Sequence, residues 1–182
     1  MLLRRLIFLV LLACWPSVSQ ALSLDDYAAN PEGHVLFIRH ALAPGNGDPS
    51  HFSVEDCQTQ RNLSEAGREQ ARQIGAKLRA ANLKIDAILS SQWCRCKDTA
   101  TEMGLGSVSL APGLNSFYQG IVPKKETLAR LRKRLDSLDG REGITIMVTH
   151  FVTISAITGI GVSSGGMVSY NPQTGVAELI GD

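Results

Sequence analysis

Runs of apolar, β-branched residues alternate along the chain with segments whose apolar positions recur at helical spacing. Three such runs, at residues 34–38, 85–90 and 144–148, predict buried strands. After the first strand, Ser64 is a predicted N-cap for an amphipathic helix that reaches about Ala81. This alternation indicates an α/β fold, with a mostly parallel central sheet between two layers of helices.

Further helices and a hairpin complete the predicted elements. A stripe of leucines over residues 128–138 predicts a second amphipathic helix. Two more helices are predicted directly after strands, one starting at Cys94 and an apolar one over residues 151–157. Near the end of the chain, residues 167–170 and 176–180 flank a turn sequence and predict an antiparallel hairpin.

The beginning of the chain has the pattern of a secretory signal peptide. Arg4 and Arg5 precede an apolar run over residues 6–13, which is far shorter than the roughly 20 residues that span a bilayer. Small residues follow at the positions that a signal peptidase recognises. This pattern predicts cleavage after Ala21. We therefore expect a periplasmic or secreted protein with one domain over residues 22–182 and no membrane span after cleavage.

A lipid anchor is the alternative to a free exported protein. Residues 11–14 resemble a lipobox, and cleavage before Cys14 would leave a lipid-anchored chain. Leu12 fits the lipobox pattern poorly, so cleavage after Ala21 is preferred.

Composition and charge narrow the class of protein further. The chain has 182 residues, 44% of them hydrophobic. This length is enough for one domain with a hydrophobic core of ordinary size and is short for two domains. Its 18 Lys and Arg balance 17 Asp and Glu, and loss of the signal peptide would remove two arginines and no acidic residue. A nearly neutral protein lacks the positive field that holds nucleic acid, so no nucleic-acid partner is expected.

The cysteines predict one disulfide and no metal site. Three of them would remain after removal of the signal peptide, in a compartment that permits disulfides. Cys94 and Cys96 are too close in sequence to pair easily, so Cys57 is expected to be one partner, with Cys94 favoured over Cys96 as the other. The Cys94-Arg95-Cys96 segment has no second close pair, so it lacks the usual ligand spacing of a zinc site.

Side chains that suit a phosphate group follow each predicted strand. Arg39 and His40 follow the first strand, Arg95 comes shortly after the second, and His150 follows the third. The carboxyl ends of parallel strands share one edge of a sheet, where ligands bind. Arginine offers a planar fork of donors to phosphate oxygens, and neutral histidine can attack phosphorus. The pattern therefore predicts phosphoryl transfer through a phosphohistidine.

Four segments resemble motifs of the histidine phosphatase superfamily, which includes the cofactor-dependent phosphoglycerate mutases. Residues 37–41 resemble its Arg-His-Gly signature, and residues 61–71 resemble N-L-[ST]-x-x-G-x-x-Q-A. Residues 90–100 resemble S-S-P-L-x-R-A-x-x-T-A, and residues 148–150 resemble V-[ST]-H-G. The motifs stand in the family's order across most of residues 35–158. The resemblance implies a phosphoglycerate mutase-like fold and a reaction that needs neither cofactor nor metal.

The resemblance also implies roles for individual residues. His40 would be the nucleophile that forms the covalent intermediate. The pocket that stabilises charge on the transferred phosphoryl group would be formed by Arg39, Arg95 and His150. Asn46 stands at a phosphate-contacting position of the family, and Asn62 would also bind substrate.

One departure from the family concerns the general acid. Many members have an L-x-E segment whose Glu protonates the leaving oxygen, but residues 114–118 contain no acidic residue. Asp48, Glu55 and Asp56 lie in the long loop over residues 44–61 and are candidates for the missing acid. The alternative is a substrate whose leaving group needs no acid.

The sequence as a whole predicts an exported phosphatase that hydrolyses a phosphomonoester. A sugar phosphate or a phosphorylated cell-envelope group is the expected substrate, because exported relatives are linked to such compounds. Two alternatives stay open. The small phosphohistidine phosphatases resemble this chain in size and in lacking the acid, although their substrates are cytosolic. A phosphate-binding domain with little or no turnover is the non-enzymatic alternative.

Overall fold

A computed structural model of the chain describes residues 21–31, 35–138 and 143–181. The predicted signal peptide, except for Ala21, and the alternative anchor at Cys14 lie outside these residues. The described residues form a central sheet with helices packed on both of its faces.

The sheet has six strands in the spatial order β3-β2-β4-β1-β5-β6. The strands are β1 (Val35–Arg39), β2 (Ile85–Ser90), β3 (Val108–Leu110), β4 (Ile144–Thr149), β5 (Met167–Tyr170) and β6 (Ala177–Ile180). Strands β1 to β4 pair in parallel, whereas β5 and β6 form an antiparallel hairpin on the β1 side. The mostly parallel sheet is therefore confirmed. The sequence does not predict β3, which has three residues and no buried side chain.

The α-helices of the described residues are α1 (Leu24–Ala29), α2 (Glu65–Ala80), α3 (Cys94–Glu102), α4 (Lys124–Asp136) and α5 (Phe151–Thr158). Helix α2 follows the N-cap Ser64, whose hydroxyl accepts a hydrogen bond from the Gly67 N–H. Helix α1 is not predicted from the sequence, because its only buried residue is Tyr27. None of the helices described is both long and apolar enough to cross a membrane.

Alternate residues of the strands face opposite layers of helices. Leu36 and Ile38 of β1 pack in one cluster with α2 and α3, where Leu78 is fully buried. Val35 and Phe37 face the other cluster, which includes residues of α4 and α5. Complete burial of a side chain such as Leu78 stabilises the fold by roughly 1.5–3 kcal/mol. The three-layer arrangement follows from this period of two along the strands.

Close packing of α2 fixes the backbone that follows β1. Gly67, in the first turn of α2, lies so close to Leu42 that a Cβ atom there would be 2.0 Å from the Leu42 carbonyl oxygen. That carbonyl also accepts a hydrogen bond from the Ser64 N–H at 3.1 Å. The Leu42 N–H donates to Gln70 Oε1 at 2.9 Å. The chain directly after His40 is therefore held between the sheet and α2.

Candidate active site

The carboxyl ends of β1, β2 and β4 bring together the four residues that the sequence singles out. Arg39 ends β1 and His40 follows it, Arg95 is the second residue of α3, and His150 is the N-cap of α5. All four line one cavity of about 230 Å³. The ring centroids of His40 and His150 are 5.5 Å apart. Parallel strands thus place residues that are distant in sequence at one edge of the sheet.

His40 is held in the form that can act as a nucleophile. Its side chain is buried, and its Nδ1 lies 2.8 Å from the Ala41 carbonyl oxygen. A carbonyl only accepts, so Nδ1 carries the proton and Nε2 keeps its lone pair. Burial, followed by the charges of the pocket arginines and opposed by the Ala41 hydrogen bond, lowers the pKa of His40 to about 3. The imidazole is therefore neutral at physiological pH.

Arg95 forms a buried ion pair with Asp48. Arg95 Nη1 lies 2.7 Å from Asp48 Oδ1, and Nη2 lies 3.1 Å from Oδ2; both side chains are 3% exposed. Asp48 also accepts hydrogen bonds from Trp93 Nε1 at 3.0 Å and from the Arg61 N–H at 3.1 Å. Burial acts to raise the pKa of Asp48, but the hydrogen bonds and charge of Arg95 hold it below its usual value. Asp48 is therefore an ionised carboxylate that positions Arg95, which argues against its predicted use as a general acid.

The other two candidates for the acid lie away from the cavity. Glu55 is exposed and accepts a hydrogen bond from Ser53 Oγ at 2.7 Å. Asp56 is exposed and caps a 3₁₀ turn, accepting from the Gln58 N–H at 2.9 Å. Within the described part of the chain, no carboxylate lines the cavity. Ser116, at the position of the Glu in the family's L-x-E segment, lines it instead.

Arg61 is a cavity residue that the sequence reasoning missed. Its Nε donates to the Gly47 carbonyl oxygen at 2.9 Å, and its Nη1 donates to the Ala43 carbonyl oxygen. These bonds tie the guanidinium group to the loop that follows β1, beside Arg39 and Arg95. Its place at the start of the motif over residues 61–71 was a signal that could have found it.

The two predicted asparagines are placed differently. Asn46 lines the cavity, and its Nδ2 donates to the Tyr118 hydroxyl at 3.3 Å. Asn62 lies outside the cavity, where its Nδ2 donates to the Cys57 carbonyl oxygen at 2.6 Å. Its contacts support the loop and give no support to the predicted substrate-binding role. Tyr118 and Phe151, each nearly half exposed, also line the cavity.

A disulfide joins the loop of Asp48 to the helix of Arg95. The bond links Cys57 to Cys94, the first residue of α3, and Cys96 is a buried free thiol. Within the described residues, no three His, Cys, Asp or Glu side chains are grouped so that they could hold a metal ion. The disulfide thus restrains the backbone on both sides of the buried ion pair.

Removal of this disulfide is expected to lower stability. The bond closes a sequence separation of 37 residues, for which loss of unfolded-chain entropy predicts about 4 kcal/mol. The double variant Cys57→Ser/Cys94→Ser should therefore show a lower midpoint in urea unfolding than the wild type. A reductant should lower the wild-type midpoint and leave that of the variant unchanged. Equal midpoints for oxidised wild type and variant would contradict the prediction.

The sequence matches the family model of the histidine phosphatase superfamily (branch 1) over residues 35–128. This match covers more than half of the 182 residues, so the chain belongs to the histidine phosphatase superfamily. One curated relative is the mitochondrial serine/threonine-protein phosphatase Pgam5 of Drosophila virilis, 29% identical over 77 residues. That match covers 42% of this chain and 24% of the relative, so the chain spans about a quarter of its length.

Solved structures share the fold at low sequence identity. The protein histidine phosphatase SixA complexed with tungstate is 16% identical, with a TM-score of 0.56 over 80% of this chain and 93% of SixA. A phosphoserine phosphatase from Entamoeba histolytica, in complex with phosphoserine, is 18% identical, with a TM-score of 0.57 over 81% and 95% of the two chains. These similarities support the phosphoglycerate mutase-like fold that the sequence motifs imply.

Proposed function

We propose that the protein is an exported phosphatase that hydrolyses a phosphomonoester through a phosphohistidine on His40, without a metal ion. The observation that carries the proposal is that the neutral, buried His40 meets three arginines in a single cavity. Arg39 Nε and Arg95 Nε are buried there, and neither has an acceptor among the described residues. Buried donors without acceptors favour an anionic ligand, and a phosphoryl group supplies suitable oxygens.

In the first step, the lone pair of His40 Nε2 forms a bond to phosphorus. The bond between phosphorus and the leaving oxygen breaks, and its electron pair stays on that oxygen, which takes up a proton from solvent water. Arg39, Arg61 and Arg95 are already in place to stabilise the oxygens of the transferred group. Loss of one such donor commonly lowers the rate by ~10²–10³.

In the second step, water attacks the phosphorus of phospho-His40. The bond between phosphorus and Nε2 breaks, its electron pair returns to Nε2, and the attacking water gives up a proton to the solvent as phosphate forms. The Ala41 carbonyl keeps the proton on Nδ1 throughout, so the same nitrogen is regenerated for the next cycle.

Export is supported by two features of the chain. The first 21 residues carry the signal-peptide pattern, and Cys57 and Cys94 form a disulfide. Disulfides persist in oxidising compartments and are rare in the cytosol. A periplasmic or secreted location would give access to phosphorylated sugars and cell-envelope groups, which remain our proposed substrates.

The cavity favours substrates with a good leaving group. No carboxylate among the described residues lines it, so a departing alkoxide finds no acidic side chain. This observation favours a second candidate, a phosphohistidine phosphatase. The phosphoramidate bond of a phosphohistidine needs less help from an acid catalyst than a phosphate ester does. The structural similarity to the protein histidine phosphatase SixA agrees with that candidate.

Installing a carboxylate at Ser116 is expected to restore turnover of poor leaving groups. Ser116→Glu would place an acid in the cavity at the position of the family's Glu. We expect a rise of about 10²-fold in kcat/KM for a sugar phosphate and little change for p-nitrophenyl phosphate, since positioned proton transfer is worth ~10²–10⁴. Ser109→Glu, on exposed β3 outside this cavity, is the matched control.

The assay is phosphate release in the presence of EDTA. The substrates are p-nitrophenyl phosphate, a panel of sugar phosphates and a phosphoramidate. Phosphate release from p-nitrophenyl phosphate and from sugar phosphates supports the phosphomonoesterase proposal, whereas release from the phosphoramidate alone favours the phosphohistidine phosphatase. Binding of these compounds without any phosphate release would favour the phosphate-binding domain instead, and loss of turnover in EDTA would contradict the metal-free mechanism.

A further inference from the structure

Three buried polar side chains behind the cavity form a hydrogen-bonded network. Ser91 Oγ is 2.9 Å from His150 Nε2 and 3.2 Å from Asn115 Oδ1. Ser91 is fully buried, and the other two side chains are at most 5% exposed. None of the bonds made or broken in the two proposed steps involves His150, Ser91 or Asn115. The role of this network is therefore a separate question.

The orientation of the Asn115 amide is fixed by its neighbour Gln92. The Gln92 N–H donates to Asn115 Oδ1 at 2.9 Å, so that atom must be the oxygen. Asn115 Nδ2 donates to Gln92 Oε1 at 2.7 Å. Oδ1 can therefore only accept a hydrogen bond from Ser91.

The single proton of the Ser91 hydroxyl then determines the tautomer of His150. If that proton pointed to His150, Ser91 Oγ and Asn115 Oδ1 would face each other as two acceptors in a buried site, which is unfavourable. If it points to Asn115, His150 Nε2–H donates to Ser91 Oγ and every contact holds one proton. The Trp93 N–H, 3.3 Å from Oγ, fills the remaining acceptor position.

We propose that Asn115 and Ser91 hold the proton of neutral His150 on Nε2, so that Nδ1 takes up a proton when a phosphoryl dianion enters the cavity. Ser91 and Asn115 are thus positioning residues, which act through His150. The inference rests on the proposed function, because it concerns the same cavity. Cys96 Sγ lies 3.5 Å from Nε2 and 4.0 Å from Nδ1 of His150. The Cys96 thiol donates its proton to the Thr149 carbonyl oxygen at 3.6 Å, so it does not compete for Nε2 and leaves the lone pair of Nδ1 to a ligand.

The charges around His150 explain why the proton should arrive with the ligand. The groups that act on it are Arg39 and His40 from the end of β1, Arg95 and Cys96 from α3, and Arg61 from the loop. Burial, followed by the charges of Arg95 and the other cations, lowers the pKa of His150 well below its usual value. A dianion among these cations reverses the local field and favours the imidazolium.

The tautomer is tested directly by ¹⁵N NMR of the histidine rings in the free protein. We expect the His150 signals to report a proton on Nε2 in the wild type. Ser91→Ala removes the acceptor and should give a mixture of tautomers. Ser91→Thr keeps the hydroxyl and should restore the wild-type pattern. Ser90→Ala is the matched control, since Ser90 is an equally buried serine whose hydroxyl donates to the Ser91 carbonyl oxygen and not to His150.

Proton uptake is tested by calorimetric titration with sulfate, in two buffers of different ionisation enthalpy. Sulfate is a dianion across neutral pH, so any proton taken up comes from the buffer to the protein. We expect close to one proton per sulfate in the wild type and in Ser90→Ala. In Ser91→Ala the imidazolium would lack an acceptor at Nε2, so uptake should fall and sulfate should bind about 10-fold more weakly.

The outcomes separate this inference from the proposed function. A proton on His150 Nδ1 in the free wild type would overturn the inference, whether or not the protein turns over substrate. Sulfate binding without proton uptake would also overturn it. Failure of sulfate to bind would count against the phosphate cavity itself, while the NMR result would still decide the tautomer.

Discussion

His40→Ala is expected to abolish phosphate release. The substitution removes the nitrogen that attacks phosphorus, and His150, the other neutral histidine that lines the cavity, binds the phosphoryl oxygens in this account and does not attack phosphorus. Removing the nucleophile of a covalent mechanism typically lowers kcat by on the order of 10⁴-fold or more. The measurement is initial-rate phosphate release from p-nitrophenyl phosphate, with protein concentration high enough to detect that residual rate.

His51→Ala is the matched control for this prediction. His51 is exposed in the loop between β1 and α2 and does not line the cavity, so its loss should leave kcat unchanged. His40→Gln gives a second test with a polar side chain, and circular dichroism checks that each variant is folded. A folded His40→Ala protein that retains more than about a tenth of the wild-type rate would contradict the account.

Asp48→Asn is expected to reduce both stability and activity. The substitution leaves the Arg95 guanidinium buried without its counter-charge, which typically costs about 3–5 kcal/mol. That cost corresponds to a fall in Tm of roughly 10 °C for a domain of this size. Loss of the two hydrogen bonds to Asp48 should also let the Arg95 guanidinium move out of place. Because this group donates to the phosphoryl oxygens, kcat should fall by ~10²-fold.

The pH dependence of stability provides a second measurement of the same ion pair. The pKa of Asp48 is lowered in the folded protein, so its contribution is present at pH values above its unfolded pKa and is lost as pH falls through the folded pKa. The difference in unfolding free energy between wild type and Asp48→Asn should therefore shrink in acid. Glu55→Gln, an exposed change in the same loop, should show no such difference. A constant difference down to the acid limit would contradict the role assigned to Asp48.

The sheet and its ligand edge are largely predictable from the sequence. Strands β1 and β4 are buried along almost their whole length, and β2 is buried over its last three residues, so apolar runs mark all three in the sequence. The residues directly after them, among them His40 and His150, follow from the geometry of parallel strands. Strand β3 escapes prediction because it is short and lies at the edge, where few side chains are buried.

The loop side of the site is not predictable in the same way. The position of Asp48 depends on an ion pair and a Trp93 hydrogen bond to residues more than forty positions away. Arg61 reaches the cavity because it bonds to backbone carbonyls of the same loop. Asn62, by contrast, belongs to the same motif but points its amide at Cys57. Such long-range contacts leave no local pattern in the sequence. The roles of these loop residues therefore become visible only in the structure.

The most direct test of the account is capture of the covalent intermediate. Wild-type protein is mixed with an excess of p-nitrophenyl phosphate and quenched in alkali, which preserves phosphohistidine, and the digest is analysed by mass spectrometry. The account predicts one added phosphoryl group on the peptide that contains His40, absent from the His40→Ala protein. A phosphoryl group on another residue, or steady turnover with no phosphorylated peptide at any quench time, would contradict it.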